Sequence, residues 1–588
     1  MKRGENMALT YEWDFKHLYK NDKDFRNDIK YCEKVLEDIC LLQGKLNNKE
    51  DILKYFVLSE EIMHKISRLD MYVMLRVDKN TRDVQSLKDY ETVNQLLTTF
   101  SVKTAFVSPE FAQNSDEFLV GLYNDPDFKD YKRVIEGIIK DKPHTISKEK
   151  EELIAGMGEF SDFSEIFEKL AGTELKFDDV VVDGKSQKLN DATYSSFTKS
   201  KDPEVRRQAY ENLLKGYSEF NLTLSHNLLN QIKKQDFISR TYNFSSTFER
   251  SLFHEEVEKD IFFNLIQSVN QNLNLYQNYL KAKAKCLGLK KLYASDINAP
   301  IGSIESLNLD YENAVEKVLE VVKVLGQDYQ RVATNMFSSG VIDVFPSEGK
   351  RSGGYSASGQ TGHQFILLNY NNSYFDFSTI AHELGHSMHS YYSEKNQPYF
   401  NQNYVIFVAE IASTVNEILL AKKLLRETTS QDERRFIADS LLSEFCASVF
   451  RQTMFSEFEF FVNDCVNKSI PISYEEMNGE YGKLQNHYFG DAISLSNYSK
   501  FEWSRIPHFY RSFYVFKYAT GFISAVSIVK QIEECGESYV ENFYKKFLSA
   551  GSSMDPVSIL KLANIDITTS EPYKEAFKFF EELIDYIK

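Results

Sequence analysis

Residues 381–389 of this 588-residue chain read Ala-His-Glu-Leu-Gly-His-Ser-Met-His, and they are the strongest indication of both fold and chemistry. On a helix, His382 and His386 lie one turn apart on one face, about 6 Å apart along the axis. Two imidazoles at that spacing can bind one metal ion, and Glu383, one step round the helix, can act as general base toward a water at the metal. The stretch predicts a zinc-binding helix and favours a metallopeptidase, the alternative being an amphipathic helix with surface histidines.

A catalytic zinc ion usually has three protein ligands, so the sequence must supply one more. His389 shares the face of His382, but it lies about 7.5 Å farther along the axis than the metal and is too far away to bind it. Glycine and histidine at the third and sixth positions after His386 would indicate a metzincin, and these positions hold His389 and Tyr392.

A second predicted helix carries a better candidate. Residues 407–417 read FVAEIASTVNE, and Glu410 stands in an apolar run where an unpaired carboxylate would be costly. We expect Glu410 to be the third ligand. Glu417 falls on the same face two turns later, where it could orient a ligand imidazole. A solvated helix acid is the alternative, and it suits Glu417 better than Glu410.

Taken together, the strings AHELGHSMHSYYS and FVAEIASTVNE resemble the oligoendopeptidase F branch of the thimet oligopeptidase family. The resemblance implies one zinc ion per chain, held by His382, His386 and Glu410. It also implies that Glu383 is the catalytic base. Four further strings match in the right order: YEWDFKHLY at 11–19, KRSGGY at 350–355, QFILLNY at 364–370 and PHFYRSFYVFKYATG at 507–521.

The glycine-rich string predicts a place for substrate. Gly353 and Gly354 can adopt positive φ and approach a ligand closely, which suits a mobile lid over a peptide, although an ordinary surface turn is the alternative. Tyr355 and Asn369 flank this loop and the strand at 364–370. An exposed edge of that strand could pair with an extended peptide main chain.

Donors to a tetrahedral oxyanion are predicted near the C-terminus. His508, Tyr514 and Tyr518 are the candidates, because neutral imidazole and phenol groups can stabilise developing negative charge. Tyr510, Tyr514 and Tyr518 recur every four residues, which predicts a stripe on one helix face. Such a stripe can also be core packing, and Tyr510 could take the place of Tyr514.

Composition indicates a large, acidic and mainly α-helical protein. Lys and Arg total 69 against 86 Asp and Glu, a net charge of −17 that disfavours nucleic acid as a partner. Eleven prolines, 25 glycines and amphipathic stretches at 24–95, 146–172 and 203–239 predict helices.

The aromatic run FSEFEFF at 455–461 reads as buried helix core. Val180-Val181-Val182-Asp183-Gly184-Lys185 predicts a hairpin near 180–188.

We expect an N-terminal helical lobe over 1–200 and a catalytic lobe over 201–588. The family resemblance implies that two helical lobes enclose a deep substrate channel, with a small β-sheet next to the zinc-binding helix. Six scattered cysteines and the lack of a visible signal or membrane-spanning segment predict a cytoplasmic protein, with a monomer as the default.

The predicted function is hydrolysis of internal bonds in short, unstructured oligopeptides. One alternative is a carboxypeptidase or dipeptidyl carboxypeptidase, which would need a cation such as Arg505 or Arg511 to hold the terminal carboxylate. The other is a peptide-binding zinc protein without turnover. Glu383 and an open fourth coordination position argue against it.

Overall fold

The structure is a computed structural model that describes residues 9–147, 150–151, 153–154, 157, 163–305 and 307–588. It is predominantly α-helical, which confirms the prediction of fold class. The stretch 24–95 holds three helices and 203–239 two, whereas parts of 146–172 lie outside the described residues. The described α-helices are Asp22–Cys40, Lys49–Lys79, Val84–Lys103, Val107–Gln113, Asp116–Asn124, Lys132–Asp141, Phe163–Lys169, Asp191–Thr198, Pro203–Glu219, Asn221–Thr241, Thr247–Glu255, Lys259–Gln271, Leu273–Cys286, Tyr311–Val321, Gln327–Ser338, Tyr374–Asn396, Ile406–Glu427, Gln431–Phe445, Gln452–Asn467, Tyr474–Phe489, Phe516–Cys535, Glu537–Tyr539, Lys545–Leu548, Pro556–Leu562 and Glu571–Ile587.

Short helices of other types join these elements. The 3-10 helices are Phe15–His17, Pro126–Tyr131, Lys142–His144, Ala294–Asp296, Val322–Leu325, Tyr399–Asn401, Ser499–Arg505 and Pro507–Tyr510, and the π-helices are Leu170–Glu174, Cys446–Arg451 and Val540–Tyr544. None of the helices in the described part of the chain is both long and apolar enough to cross a membrane.

Within the described residues, seven short strands form three small sheets. They are β1 (Val180–Val182), β2 (Lys185–Gln187), β3 (Leu292–Tyr293), β4 (Ile342–Asp343), β5 (Tyr355–Ala357), β6 (Phe365–Leu367) and β7 (Ile493–Ser494). Strands β1 and β2 are the predicted hairpin, and both residues of its turn, Asp183 and Gly184, have positive φ as a two-residue turn requires. Strands β3 and β7 pair in parallel.

The third sheet corrects one prediction. Its order is β4-β6-β5, with β6 parallel to β4 and antiparallel to β5. The strand expected to offer a free edge at 364–370 is therefore the central strand, and its main-chain groups on both sides face other strands. The two edge strands are β4 and β5, and β5 directly follows the glycine pair.

Residue contacts divide the described chain into two compact units of three segments each. The first comprises 1–148, 307–420 and 528–564, and the second comprises 149–306, 421–527 and 565–588. This partition differs from the two predicted lobes, and the boundary near residue 200 stays a prediction.

The helix Tyr374–Asn396, called here the histidine helix, has a well-defined start. Ser373 accepts a hydrogen bond from the backbone N–H of Asp376, and the Asp376 carboxylate accepts one from the backbone N–H of Ser373, which forms a capping box. Its buried apolar face includes Ile380, Leu384 and Met388.

The histidine helix lies unusually close to the helix Ile406–Glu427, called here the glutamate helix. Gly385 is the point of closest approach, because a Cβ atom there would stand 2.5 Å from both the carbonyl oxygen of Ala412 and the Cα of Ser413. Only glycine fits at that position without a shift of one helix. The close approach brings the side chains of the two helices within reach of one metal ion.

Candidate active site

Three side chains from these two helices converge in the first unit. The Nε2 atoms of His382 and His386 are 3.2 Å apart, and Glu410 Oε2 lies 3.6 Å from the first and 3.5 Å from the second. Among the described residues, this is the only group of three or more His, Cys, Asp or Glu side chains arranged to hold a metal ion.

The triangle of ligand atoms fits zinc. In a tetrahedral site with zinc–ligand bonds of about 2.0–2.1 Å, ligand atoms stand roughly 3.3–3.4 Å apart. The three observed separations lie close to that value, and two imidazoles with one carboxylate are a donor set of catalytic zinc sites. The three protein ligands leave a fourth position for water or substrate.

The Glu417 carboxylate contacts the His382 ring at Nδ1, the ring nitrogen outside this triangle. One of its carboxylate oxygens lies 3.0 Å from His382 Nδ1, and the other accepts a hydrogen bond of 3.2 Å from the Ser378 hydroxyl. A carboxylate at Nδ1 favours a proton on that nitrogen and leaves Nε2 free to bind a metal. Burial by itself lowers the pKa of His382, but the neighbouring carboxylates, with Glu417 contributing most, outweigh it and raise that pKa to about 10.

Glu410 is half-buried beside both rings. Burial acts to raise its pKa, but the hydrogen bond and charge of His386, with a smaller contribution from His382, lower it. The carboxylate form, which binds metal, is thus favoured. The glutamate helix is joined to the histidine helix by fully buried Asn416, whose amide donates to the Ala381 carbonyl at 3.0 Å. Sequence reasoning missed Asn416, although a polar residue in an apolar helix is a signal for such a bond.

Glu383 is buried next to the ligands. Its Oε2 atom has no hydrogen-bond partner within the described residues, and burial raises the pKa of this carboxyl group. Gly354 lies next to this carboxylate: a Cβ atom built on Gly354 would stand 3.6 Å from Glu383 Oε1 and 3.4 Å from the Leu367 carbonyl oxygen. A glycine at this position leaves space above the carboxylate, which is where a general base must meet its water.

The glycine-rich loop is anchored on both sides of its glycine pair. Asp78, buried on the helix Lys49–Lys79, accepts hydrogen bonds from the Arg351 guanidinium at 3.2 Å and the Tyr355 hydroxyl at 2.8 Å. The Asn369 amide donates to the carbonyls of Arg351 and Gly353 at 2.9 and 2.8 Å. Gly353 itself has a φ of +90° and open space around it. Tyr355 and Asn369 thus hold the loop, and nothing in the sequence pattern identified Asp78 as their partner.

His389 lies away from the ligand group, in agreement with its exclusion as a ligand. Its ring stacks on Tyr404, with centroids 3.7 Å apart, and lies near Phe547. Burial lowers the pKa of His389 to about 3, so the ring is neutral.

The second unit holds the other predicted group. The rings of His508, Tyr514 and Tyr518 cluster, with centroids 6.2 and 6.0 Å from His508 to the two tyrosines and 5.5 Å between the tyrosines. Burial lowers the pKa of His508, and the nearby guanidinium groups of Arg511 and Arg451 lower it further. The imidazole is therefore neutral at physiological pH and can donate a hydrogen bond.

The predicted tyrosine stripe on one helix is wrong. Tyr510 ends the 3-10 helix Pro507–Tyr510, and the α-helix begins only at Phe516. Between them, Phe513 has a φ of +53°, which interrupts any helix. The Tyr510 hydroxyl accepts a hydrogen bond from buried Asn227 at 3.0 Å, so Tyr510 belongs to the core, whereas Tyr514 and Tyr518 are half-exposed.

The two arginines of the carboxypeptidase alternative differ in their surroundings. Arg505 lies 3.5 Å from an Asp191 carboxylate oxygen and stacks on Tyr194 with its guanidinium carbon 4.9 Å from the ring centroid. Arg511 is exposed, and its guanidinium stands 5.9 Å from the Tyr514 ring. Arg511 is thus the better placed of the two to meet a substrate carboxylate.

Comparison with known proteins agrees with these geometries. The model of "Peptidase family M3" matches residues 196–579, and that of "Oligopeptidase F" matches residues 110–177. An "Oligoendopeptidase F homolog" of Borreliella burgdorferi is 33% identical over 98% of this chain and 98% of its own length. The "Oligopeptidase PepF" of Bacillus subtilis is 32% identical over 97% of this chain and 86% of its own length. The crystal structure of oligoendopeptidase-F from Enterococcus faecium has a TM-score of 0.75 and 28% identity, and the match covers 96% of this chain and 98% of that one.

Proposed function

The chain belongs to peptidase family M3 and is a metalloendopeptidase, and we propose that it uses zinc to hydrolyse internal bonds of short, unstructured peptides. The convergence of His382, His386 and Glu410 at zinc-ligand spacing, with buried Glu383 beside them, is the observation that supports the proposal most. We propose one zinc ion per chain.

Each residue around the metal has a distinct part in this reaction. His382, His386 and Glu410 would hold the zinc ion, which when bound would supply Lewis acidity toward a water molecule and the scissile carbonyl. Glu383 takes the proton of the attacking water and passes it to the departing amine, a sequence that its raised pKa assists because the protonated form is accessible. Glu417 keeps the His382 ring in the tautomer that binds through Nε2.

The proposed donors to the oxyanion are His508, Tyr514 and Tyr518. Their clustering, their partial exposure and the neutral state of His508 support this role. Each could donate a hydrogen bond to the oxygen on which negative charge develops. Tyr510 is left out because its hydroxyl is bonded within the core.

The edge strand β5 is the proposed site for the peptide main chain. It is linked to the histidine helix by a hydrogen bond of 2.8 Å between the hydroxyls of Ser356 and Ser387. An extended peptide that adds to β5 would be held through its backbone and not through its side chains, so many sequences could bind. Gly353 and Gly354 would let this peptide approach the loop. All six cysteines are unpaired, which supports a reducing, cytoplasmic location.

An internally quenched peptide of roughly ten residues tests the proposal. Internal cleavage that a chelator abolishes and zinc restores is the expected result. Peptides with an amidated C-terminus should be cut equally well by an endopeptidase. Loss of cleavage on amidation, together with release of C-terminal fragments only, would instead support the carboxypeptidase alternative and a role for Arg511.

A further inference from the structure

One buried carboxyl group in the second unit has no part in the chemistry described above. Glu459 stands in the middle of the aromatic run 455–461, on the helix Gln452–Asn467, and its side chain is only 3% exposed. Phe455 and Phe458 of the same run are buried, as predicted, whereas Phe460 and Phe461 are only half-buried. A carboxyl group in such surroundings is unfavourable unless it has a specific partner.

The partner is the backbone of Phe513. The N–H of Phe513 donates to Glu459 Oε1 at 2.6 Å, and this bond is buried. Phe513 is the residue with a φ of +53°, a left-handed conformation that an aromatic residue adopts only when its surroundings impose it. Its ring is 1% exposed and packs edge-on against Phe248 and Phe262, with centroids 4.9 and 6.1 Å away. The conformation is thus held at both the main chain and the side chain.

This turn determines where Tyr514 lies. Had residues 507–521 continued as a single helix, Tyr510, Tyr514 and Tyr518 would share one face. With the left-handed Phe513 between them, Tyr510 and Tyr514 no longer share a face. Tyr510 lies in the core, whereas Tyr514, directly after the turn, is half-exposed beside His508.

A second contact acts on the same ring. The ammonium group of Lys517 stands 4.8 Å from the centroid of the Tyr514 ring and forms an ion pair with Glu255. Lys517 is 5% exposed and is the charged side chain whose field acts on Glu459. Lys517 is therefore in contact with the Tyr514 ring and also interacts with the charges of Glu255 and Glu459.

We propose that Glu459 is a positioning residue for catalysis: by accepting the Phe513 N–H it stabilises the left-handed turn and so orients the Tyr514 hydroxyl. The inference rests on the proposed role of Tyr514 as a donor to the oxyanion. Glu459 touches neither substrate nor metal and acts only through the turn.

Three variants separate positioning from simple loss of core packing. Glu459→Leu keeps the volume and removes the acceptor. Burial raises the pKa of Glu459 to about 8, so the protonated acid is its main form at neutral pH. Glu459→Gln resembles that form and keeps an acceptor oxygen. Ser456→Ala is the matched control, since it removes a buried hydroxyl one turn earlier on the same helix, where the hydroxyl bonds only to the Gln452 carbonyl.

The kinetic test combines Glu459→Leu with Tyr514→Phe. We expect Glu459→Leu to lower kcat by about 10- to 100-fold with little change in KM or zinc content, and Glu459→Gln to restore most of the loss. Ser456→Ala should keep the wild-type kcat. In the Tyr514→Phe background, Glu459→Leu should cost little more, because the group through which it acts is already gone. Equal losses in both backgrounds, or a wild-type kcat for Glu459→Leu, would overturn the proposal.

A spectroscopic test does not depend on activity. With 3-fluorotyrosine placed at position 514 alone, the ¹⁹F resonance should move in Glu459→Leu, return toward the wild-type position in Glu459→Gln and stay unchanged in Ser456→Ala. An unchanged resonance in Glu459→Leu would overturn the positioning role. A third outcome is that the resonance moves in Glu459→Leu while Tyr514→Phe keeps the wild-type kcat. It would show that Glu459 orients Tyr514 but that Tyr514 is not a donor to the oxyanion.

Discussion

The carboxylate of Glu417 lies 3.0 Å from Nδ1 of His382, whereas Nε2 of the same ring lies near His386 and Glu410. The two residues are on different helices and 35 positions apart in the chain, and the close approach of those helices at Gly385 brings them together. The contact makes the orientation of one proposed zinc ligand depend on a residue outside the ligand group.

Replacing Glu417 by glutamine should weaken zinc binding about 10- to 100-fold, because the His382 ring loses the charged partner that holds its tautomer. Competition with a chromogenic chelator measures the affinity. Glu427→Gln, which removes the same charge from the exposed end of the same helix, is the control and should bind zinc as the wild type does. An affinity equal to the wild type in Glu417→Gln would show that the contact does not support the ligand.

Glu383→Gln should keep the metal and lose the reaction. We expect kcat to fall by about 10²- to 10⁴-fold, since the glutamine amide cannot take a proton from water, while zinc content stays at one ion per chain. Elemental analysis and peptide cleavage of the same sample provide the two measurements. Near-normal turnover with full zinc would show that another group is the base.

Gly385→Ala should destabilise the first unit by about 1–3 kcal/mol, because the added methyl group meets backbone atoms of the glutamate helix at 2.5 Å. It should also reduce zinc affinity, since separating the helices moves Glu410 away from the histidines. Gly137→Ala is the control: this helical glycine has open space around it and should gain up to about 1 kcal/mol. Thermal unfolding and zinc competition test both effects, and equal midpoints for the two variants would contradict the steric argument.

Asp78→Ala should release the glycine-rich loop from the helix beneath it. Arg351 and Tyr355 lose their shared acceptor, so amide hydrogen exchange over 350–355 should become faster and kcat/KM should fall roughly tenfold. Glu348→Ala removes an exposed ion pair with Arg82 near the same loop and should change little. Unchanged exchange in Asp78→Ala would mean that other contacts hold the loop.

Glu459 should also make stability depend on pH. Burial raises its pKa from 4.5 to about 8 in the folded protein, so the folded state binds this proton more tightly than the unfolded chain does. The contribution of Glu459 to the free energy of unfolding is therefore fully present below about pH 4.5 and is lost as the pH rises through about 8. This contribution is on the order of a few kcal/mol in total. The groups that face it are the Phe513 N–H and Lys517, itself paired with Glu255.

Glu459→Gln should remove this dependence. The thermal midpoint of the variant relative to the wild type should rise between about pH 5 and pH 9. Ser456→Ala should keep the wild-type slope. Parallel midpoint curves for Glu459→Gln and the wild type would show that the proton on Glu459 is not coupled to folding.

The sequence by itself determined which residues of the first unit are candidates to hold a metal ion. The spacing of His382 and His386 requires only that the segment be a helix, because neighbours on one helix face are set by local geometry. The carboxylate of Glu410 in an apolar run indicated a second helix with a polar partner. These local patterns also predicted the α-helical class and the hairpin at Asp183 and Gly184.

Tertiary structure alone decided what depends on contacts between distant segments. Strand β6 became central because β4, more than twenty residues earlier, pairs with its other side. Phe513 became left-handed because Glu459 accepts its N–H, 54 positions away, and no local pattern indicates that bond. The same holds for Asp78 beneath the glycine-rich loop. Periodicity reports which residues share a face of one element, whereas hydrogen bonds across elements follow from how those elements pack.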